Sequence, residues 1–385
     1  MQASTQTSTI CTPTREQSAT FFVAIELSLK GWLVCIHSPD RDRLSHYDIG
    51  AGDCDKLLAL IEQARARVTR ALGVKPEVVS CYEAGYDGFW LHRVLVAAGV
   101  KNHVFDPASI AVERRGRRVK TDRIDNESMI RTLMAYLRGE PRVVRVVRVP
   151  SPAQEDARRL MRERERLVKE RTAHVNRIKS LLRTQGLAAG HPKRADWLTW
   201  LEAQCDHRGR PLGQCLVAEL KRQHQRLRMI CQQVKALEDE RASAMPQALV
   251  TKATALTRLK GIGPNFATNL TGEVYWKDFE NRRQVASYVG LAPSPWQSGG
   301  LSRDQGISKA GNRRARCTAI QLAWLWLRHQ PDSELSQWYR ARVGDARGRL
   351  RKIMIVALAR KLVVALWRYL ETGLVPTAAV FKKGK

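Results

Sequence analysis

The sequence predicts an α/β amino-terminal domain, then a long antiparallel helical hairpin, then a mostly α-helical, basic carboxy-terminal domain. Three observations carry this. Short apolar runs alternate with helical periodicity between residues 20 and 139. Two charge-rich segments, 151–185 and 212–244, each keep an apolar stripe at helical spacing. From residue 255 onward the chain reads as helical, punctuated by prolines and glycines.

The elements follow in order. Residues 1–19 are rich in Ser, Thr and Gln and lack an apolar stretch, which predicts a flexible tail and no secretory signal. Residues 21–27 and 32–37 are apolar and rich in strand formers, with Gly31 able to turn between them, and 44–49 is a weaker third strand. Leu57, Leu60, Ile61 and Val68 recur at helical spacing and predict a helix over 53–72. Residues 78–82 read as a short buried strand, 87–98 as a helix stopped by Gly99, and 103–105 as a strand. After a basic loop at 114–120, a helix is expected from Thr121 to Arg138. Three strands followed by alternating helices and strands is the order of a ribonuclease H-like fold. Residues 142–149 alternate Val and Arg, as an edge strand or a basic linker, and Pro150 and Pro152 mark a boundary.

The hairpin is expected from Leu160, Leu167, Val175, Ile178 and Leu182 on one helix, facing Leu216, Leu220, Leu227, Ile230, Val234 and Leu237 on the other. Such stripes pair within a protomer or between protomers, with Trp197 and Trp200 at the tip. The expected division is a tail at 1–19, the α/β domain at 20–150, the coiled-coil hairpin at 151–245, the helical domain at 246–375 and a basic tail at 376–385.

Composition bounds the partner. The 385 residues hold 66 Lys and Arg against 37 Asp and Glu, a net charge of +29. A folded chain so positive favours a polyanion, nucleic acid first and an anionic membrane surface second. The eight cysteines contain no C-x-x-C pair, which argues against a zinc ribbon. Cys35 and Cys81 sit in apolar runs and read as reduced core residues of a cytoplasmic protein. The most apolar stretch, 353–370, is interrupted by Arg360, Lys361 and Arg368, so no membrane span is expected.

Three features carry candidate chemistry. Glu26 closes the first strand, Glu83 follows the fourth, and Asp122 and Asp125 stand at i, i+3 on the third helix, so that one face presents both. In a ribonuclease H-like fold these elements meet. Four converging carboxylates repel one another, and a divalent cation, Mg²⁺ or Mn²⁺ for hard oxygen ligands, removes that repulsion and assists phosphoryl transfer. The alternative is ordinary surface acids, with Asp122 a helix cap. The second feature is Ser298 before two glycines, with Lys309, Arg313 and Arg314 able to neutralise a phosphate and a helix N-terminus following. Ser294, Ser302 and Ser308 are rival serines, and a plain Gly/Ser turn is the alternative. The third is the helix–hairpin–helix turn around Lys260, Gly261 and Gly263, which reads as a sequence-independent DNA-phosphate contact or as a structural turn.

Together the runs Lys120-Thr-Asp-Arg-Ile-Asp125, Tyr82-Glu-Ala-Gly85, Gly261-Ile-Gly-Pro264, Ser298-Gly-Gly300 and Gly306-Ile-Ser-Lys-Ala-Gly-Asn312 resemble the insertion-sequence one-ten family of transposases, relatives of the Piv-type DNA invertases. The resemblance spans nearly the whole chain. It implies a RuvC-like domain whose Asp-Glu-Asp-Asp metal tetrad falls on Glu26, Glu83, Asp122 and Asp125, with Glu26 departing from the usual Asp. It implies that Ser298 is a nucleophile forming a phosphoserine link to DNA. It also implies a structured guide RNA pairing with donor and target DNA, and a homo-oligomer, dimer or tetramer, whose composite site joins the carboxylates of one subunit to the serine of another. Arg114, Arg115, Arg117, Arg118 and Lys120, with the basic runs at 142–148, 158–171 and 313–316, are then expected phosphate contacts, or helix surfaces paired with nearby acids. A metal-dependent junction nuclease and a non-catalytic nucleic-acid-binding protein are the competing readings.

Overall fold

The computed structural model describes residues 19–41, 43–110, 122–188, 190–241, 243, 245–298 and 301–382. The chain divides after Val149 into two compact units.

The first unit is built on one five-stranded sheet. Strands β1 (Thr20–Leu27), β2 (Gly31–Ser38) and β3 (Arg43–Gly50) form an antiparallel meander, and β4 (Glu77–Glu83) and β5 (Lys101–Phe105) run parallel to β1, giving the order β3-β2-β1-β4-β5. Strand side chains alternate between faces, so β1 feeds two cores. Phe21, Val23 and Ile25 join Leu57, Ile61 and Val68 of α1 (Cys54–Leu72) and Leu91 and Leu95 of α2 (Trp90–Ala97). Phe22 and Ala24, with Val79 and Cys81 of β4, pack on Met129, Ile130 and Leu133 of α3 (Asp122–Leu137). Asp53 caps α1 by accepting from the Lys56 N–H at 3.0 Å, and Gly73 ends it at φ 71°.

Two expectations shift. The second helix starts at Trp90 rather than residue 87, because the chain turns at Gly88, whose φ is 71°. Residues 142–149 follow the β5 edge without forming a full strand. Val146 bridges Phe105, and the Val147 N–H donates to the Val104 carbonyl at 2.7 Å.

The second unit is helical with one strand pair. Its elements are α4 (Pro152–Asp156), α5 (Arg159–Arg183), α6 (Trp197–Glu202), α7 (Gln214–Glu240), α8 (Gln247–Arg258), α9 (Pro264–Leu270), a π-helical turn (Thr271–Tyr275), α10 (Arg282–Tyr288), β6 (Pro293–Ser298), β7 (Leu301–Ile307), α11 (Arg313–His329), α12 (Glu334–Val343) and α13 (Arg349–Thr372). Helices α5 and α7 pack antiparallel within the protomer. Ile178, Leu182, Leu220 and Leu227 are fully buried between them, and Arg177 donates to Glu219 at 2.8 Å. Near one end Trp197 of α6 stacks on His224, ring centroids 4.9 Å apart.

Two expectations are corrected, the unbroken helix over 151–185 and the loop around Ser298. The helix over 151–185 is broken at Ala157–Arg158 into α4 and α5. The hairpin and the C-terminal helices fall in one compact unit, with Arg162 of α5 reaching Glu273 and Arg314 of α11 reaching back to Glu165. Residues Pro293–Ser298 and Leu301–Ile307 form an antiparallel strand pair where loop was expected. Among the described residues no helix is long and apolar enough to cross a membrane.

Candidate functional site

In the first unit the carboxylates ride on neighbouring elements. β1 and β4 run parallel with Ile25 opposite Tyr82, so Glu26 and Glu83 follow at matching positions. Both continue the rows that face α3, Phe22–Ala24 on one strand and Val79–Cys81 on the other. The first turn of α3 carries Asp122 and Asp125. Asn126, fully buried, donates from Nδ2 to the carbonyl of Leu33 at 2.8 Å, and Leu33 is the residue paired with Glu26 across β1 and β2. That bond ties the start of α3 to the backbone beside Glu26. Cys81 Sγ reaches the Met129 carbonyl at 3.8 Å and ties α3 to β4 as well.

Glu26 is half-buried, Glu83 and Asp122 are exposed, and Asp125 is half-buried. Among the described residues no group of three or more His, Cys, Asp or Glu side chains lies close enough together to hold a metal ion as the side chains stand. The donor set is nonetheless that of a hard divalent cation, all carboxylate oxygen. Two thiols line the same face and stay protonated. Burial, helped by the charge of Glu127, pushes Cys35 up to about 12, and burial also raises Cys81. They are structural, and the described cysteines are all free.

In the second unit Ser298 is the last residue of β6, in register with Leu301 of β7. Gly299 and Gly300 lie outside the described residues, as do Arg114, Arg115, Arg117, Arg118 and Lys120. The rival serines are spread over the same feature, Ser294 on β6, Ser302 on β7 and Ser308 just beyond, its N–H donating to the Ala292 carbonyl at 2.8 Å.

The run Gly306 to Asn312 is held against the end of α10. The Lys309 N–H donates to Gly290 at 3.2 Å and the Asn312 N–H to Tyr288 at 2.8 Å. Gly290 and Gly311 sit at φ 71° and 101°, and a Cβ on either would collide with the carbonyl oxygen of Ala310 or Tyr288. Lys309 itself is left-handed at φ 56°. Asn312 caps α11, its Oδ1 accepting from the Ala315 N–H at 3.1 Å. Arg313 opens the helix and is exposed, whereas Arg314 is held by Glu165 at 2.8 Å.

A buried acid that the sequence reading missed supports this loop. Glu273, on the π-helical turn, is 3% exposed. It accepts from Arg162 Nε at 2.9 Å and Nη2 at 3.2 Å, and from Asn312 Nδ2 at 2.8 Å. Burial pushes its carboxyl up, but the Arg162 bonds and charge, with Asn312 and Arg158, outweigh that and hold it below the ordinary glutamate range. The available signal was a lone acid in an otherwise uncharged run between Leu270 and Trp276.

The Gly-Ile-Gly turn joins α8 and α9. The Cβ of His329 leaves no room for a side chain at Gly261, which sits at φ 88°. The backbone N–H of Lys260 is used inside the chain, donating to the Val380 carbonyl at 3.0 Å, while the Lys260 side chain is exposed. Gly263 caps α9 at φ −84°, an extended conformation.

Comparison with known proteins matches residues 253–339 to the model described as the transposase IS116/IS110/IS902 family, and residues 31–185 to a transposase model of the DEDD IS110 type. The chain is 48% identical over 373 residues to the assigned transposase y4rJ of Sinorhizobium fredii, covering 94% of each chain. It is 27% identical over 320 residues to the transposase for insertion sequence element IS1111A of Coxiella burnetii, covering 79% of this chain and 80% of that one.

Proposed function

The chain belongs to the IS116/IS110/IS902 transposase family, enzymes that act on DNA, and on that premise we propose that it cuts and rejoins DNA through a carboxylate tetrad and a serine nucleophile. The matching positions of Glu26 and Glu83 on the α3-covered face carry the first half of this reading. Asp122 and Asp125 complete the tetrad from the helix that Asn126 fastens beside them. Glu26, Glu83, Asp122 and Asp125 would hold a divalent ion, Mg²⁺ or Mn²⁺ by ligand hardness, which when bound would offset their mutual repulsion and supply positive charge for phosphoryl transfer. Glu26, a methylene longer than Asp, reaches further from its strand for the same donor role.

Ser298 is the proposed nucleophile. Its Oγ attacks phosphorus, an Oγ–P bond forms, one backbone P–O bond breaks, and the freed strand end leaves as a hydroxyl. Attack by a second strand end on the phosphoserine reverses the step and completes the exchange. Lys309 and Arg313 answer the added negative charge. We extend the proposal to a structured guide RNA that selects donor and target by base pairing. It further includes a homo-oligomer, dimer or tetramer, joined through a coiled-coil use of the α5–α7 hairpin, with carboxylates and serine drawn from different subunits.

The test is strand exchange on DNA matched to RNA that co-purifies with the protein. Ser298→Ala and Asp122→Ala are each expected to abolish exchange, and Ser298→Ala to abolish a covalent protein–DNA adduct on DNA with an intact scissile phosphodiester. An adduct that survives Ser298→Ala refutes the serine assignment. Metal-dependent junction cutting that survives Ser298→Ala but not Asp122→Ala would favour the nuclease reading.

A further inference from the structure

Positive charge is not spread evenly over the second unit. In the basic run at 158–171, Arg159, Arg162, Arg164, Arg166 and Lys169 are each paired with an acid. That run was an expected phosphate contact, yet much of its charge is neutralised within the chain.

The elbow between α12 and α13 is different. Arg340, Arg342, Arg347, Arg349, Arg351 and Lys352 crowd into thirteen residues whose one acid is Asp345. All six are exposed, and among the described residues none forms an ion pair. The chain turns through Gly344 at φ 49° and Gly348 at φ 71°, which brings the end of one basic helix against the start of the other.

A second observation is independent of the charge count. Helix N-termini favour acids, because the helix dipole is positive there. Helix α13 runs for 24 residues, yet its first turn holds no acid, its Gly348 cap supplies no side-chain acceptor, and Arg349, Arg351 and Lys352 stand there instead. The arrangement opposes folding and favours an external anion. Two of the cations are also pre-positioned. The Arg351 guanidinium lies 5.3 Å from the Trp324 ring and that of Arg342 lies 5.7 Å from the Trp338 ring. Lys361 Nζ also lies 4.7 Å from the Trp338 ring, and a guanidinium in such a cation–π contact can still donate to a phosphate.

We propose that the α12–α13 elbow is a docking surface for the sugar–phosphate backbone of duplex DNA, gripping DNA independently of sequence. Duplex DNA is the occupant favoured by the chain's membership of a DNA-acting family and by the cations of the chain that lie over Trp324 and Trp338, where an unstacked base would otherwise stack. The proposal depends neither on Ser298 nor on a guide RNA.

Fluorescence anisotropy of the full-length protein with a 30-base-pair duplex of arbitrary sequence, over a salt series without divalent metal, tests it. The triple variant Arg347→Gln, Arg349→Gln, Lys352→Gln spares Arg342 and Arg351, which lie over tryptophan rings. It is expected to bind about tenfold or more weakly, and to lower the slope of log affinity against log salt by up to about 2.7, at roughly 0.9 per lost phosphate contact. The control Arg159→Gln, Arg166→Gln, Lys169→Gln removes equal charge and should change both far less. Equal effects in the two triples, or none in the first, overturn the proposal. Loss of binding to a hairpin RNA with duplex binding intact overturns it in favour of RNA. In the unmodified protein, duplex DNA should shield Arg347 and Arg349 from phenylglyoxal, and a failure to shield them also overturns it.

Discussion

Single residues carry the sharpest consequences around the loop before α11. Glu273 joins the hairpin helix α5 to the cap of α11 through Arg162 and Asn312. Glu273→Gln keeps the shape but breaks the charge pairing. A broken buried pair costs about 3–5 kcal/mol, and because Arg162 is 41% exposed and partly screened, about 2 kcal/mol is expected from the denaturant midpoint. The carboxyl is held below its ordinary value, so its stabilising contribution is complete above about pH 4.3 and is lost as pH falls through the lowered value. An acid titration of stability should therefore be shallower in the glutamine variant. Gly290→Ala and Gly311→Ala each force a left-handed residue and a collision with a carbonyl. The strain alone is worth about 1–3 kcal/mol, so lower thermal midpoints are expected for both, with Gly306→Ala, which meets open space, the milder change.

At the scale of elements, the hairpin is held by a narrow apolar seam. Leu227→Ala removes a fully buried side chain from it and should cost about 2–5 kcal/mol in chemical denaturation. His224, stacked under Trp197, is lowered first by burial and then by the charge of Arg228. The folded state thus favours the neutral ring, and its contribution is complete above about pH 6.5 and weakens as pH falls below that. His224→Gln should remove that part of the pH dependence measured by hairpin hydrogen exchange. Much of this architecture was legible in the sequence. The helix expected over 53–72 matches α1 to within a residue, and the strands expected at 21–27 and 78–82 match β1 and β4. The β6–β7 pair was not legible, since Pro293, Pro295 and Gly306 read as turn residues and the pairing needs distant support from α10. Glu273 was hidden for a similar reason. Its partners lie 111 and 39 residues away, beyond any local periodicity.

At the scale of the molecule, the division after Val149 separates the carboxylates from the serine and from most of the candidate phosphate contacts. A fragment ending at Val149 is expected to melt higher with Mg²⁺ or Mn²⁺ if it carries the tetrad, and Asp122→Asn should remove the shift in a thermal melt. An unchanged midpoint would count against the metal assignment. The net charge of +29 predicts that the whole protein binds DNA steeply less well as salt rises. One long-range strap has a temporal consequence. The carbonyl of Ile262 is met by the Lys382 ammonium, 120 residues later, and the N–H of Lys260 by Val380. A ribosome adding about 5–20 residues per second leaves that turn waiting roughly 6–24 s for its last partners. The Gly-Ile-Gly region is therefore born unfinished, and this stretch of the nascent polypeptide is one on which a chaperone has time to act.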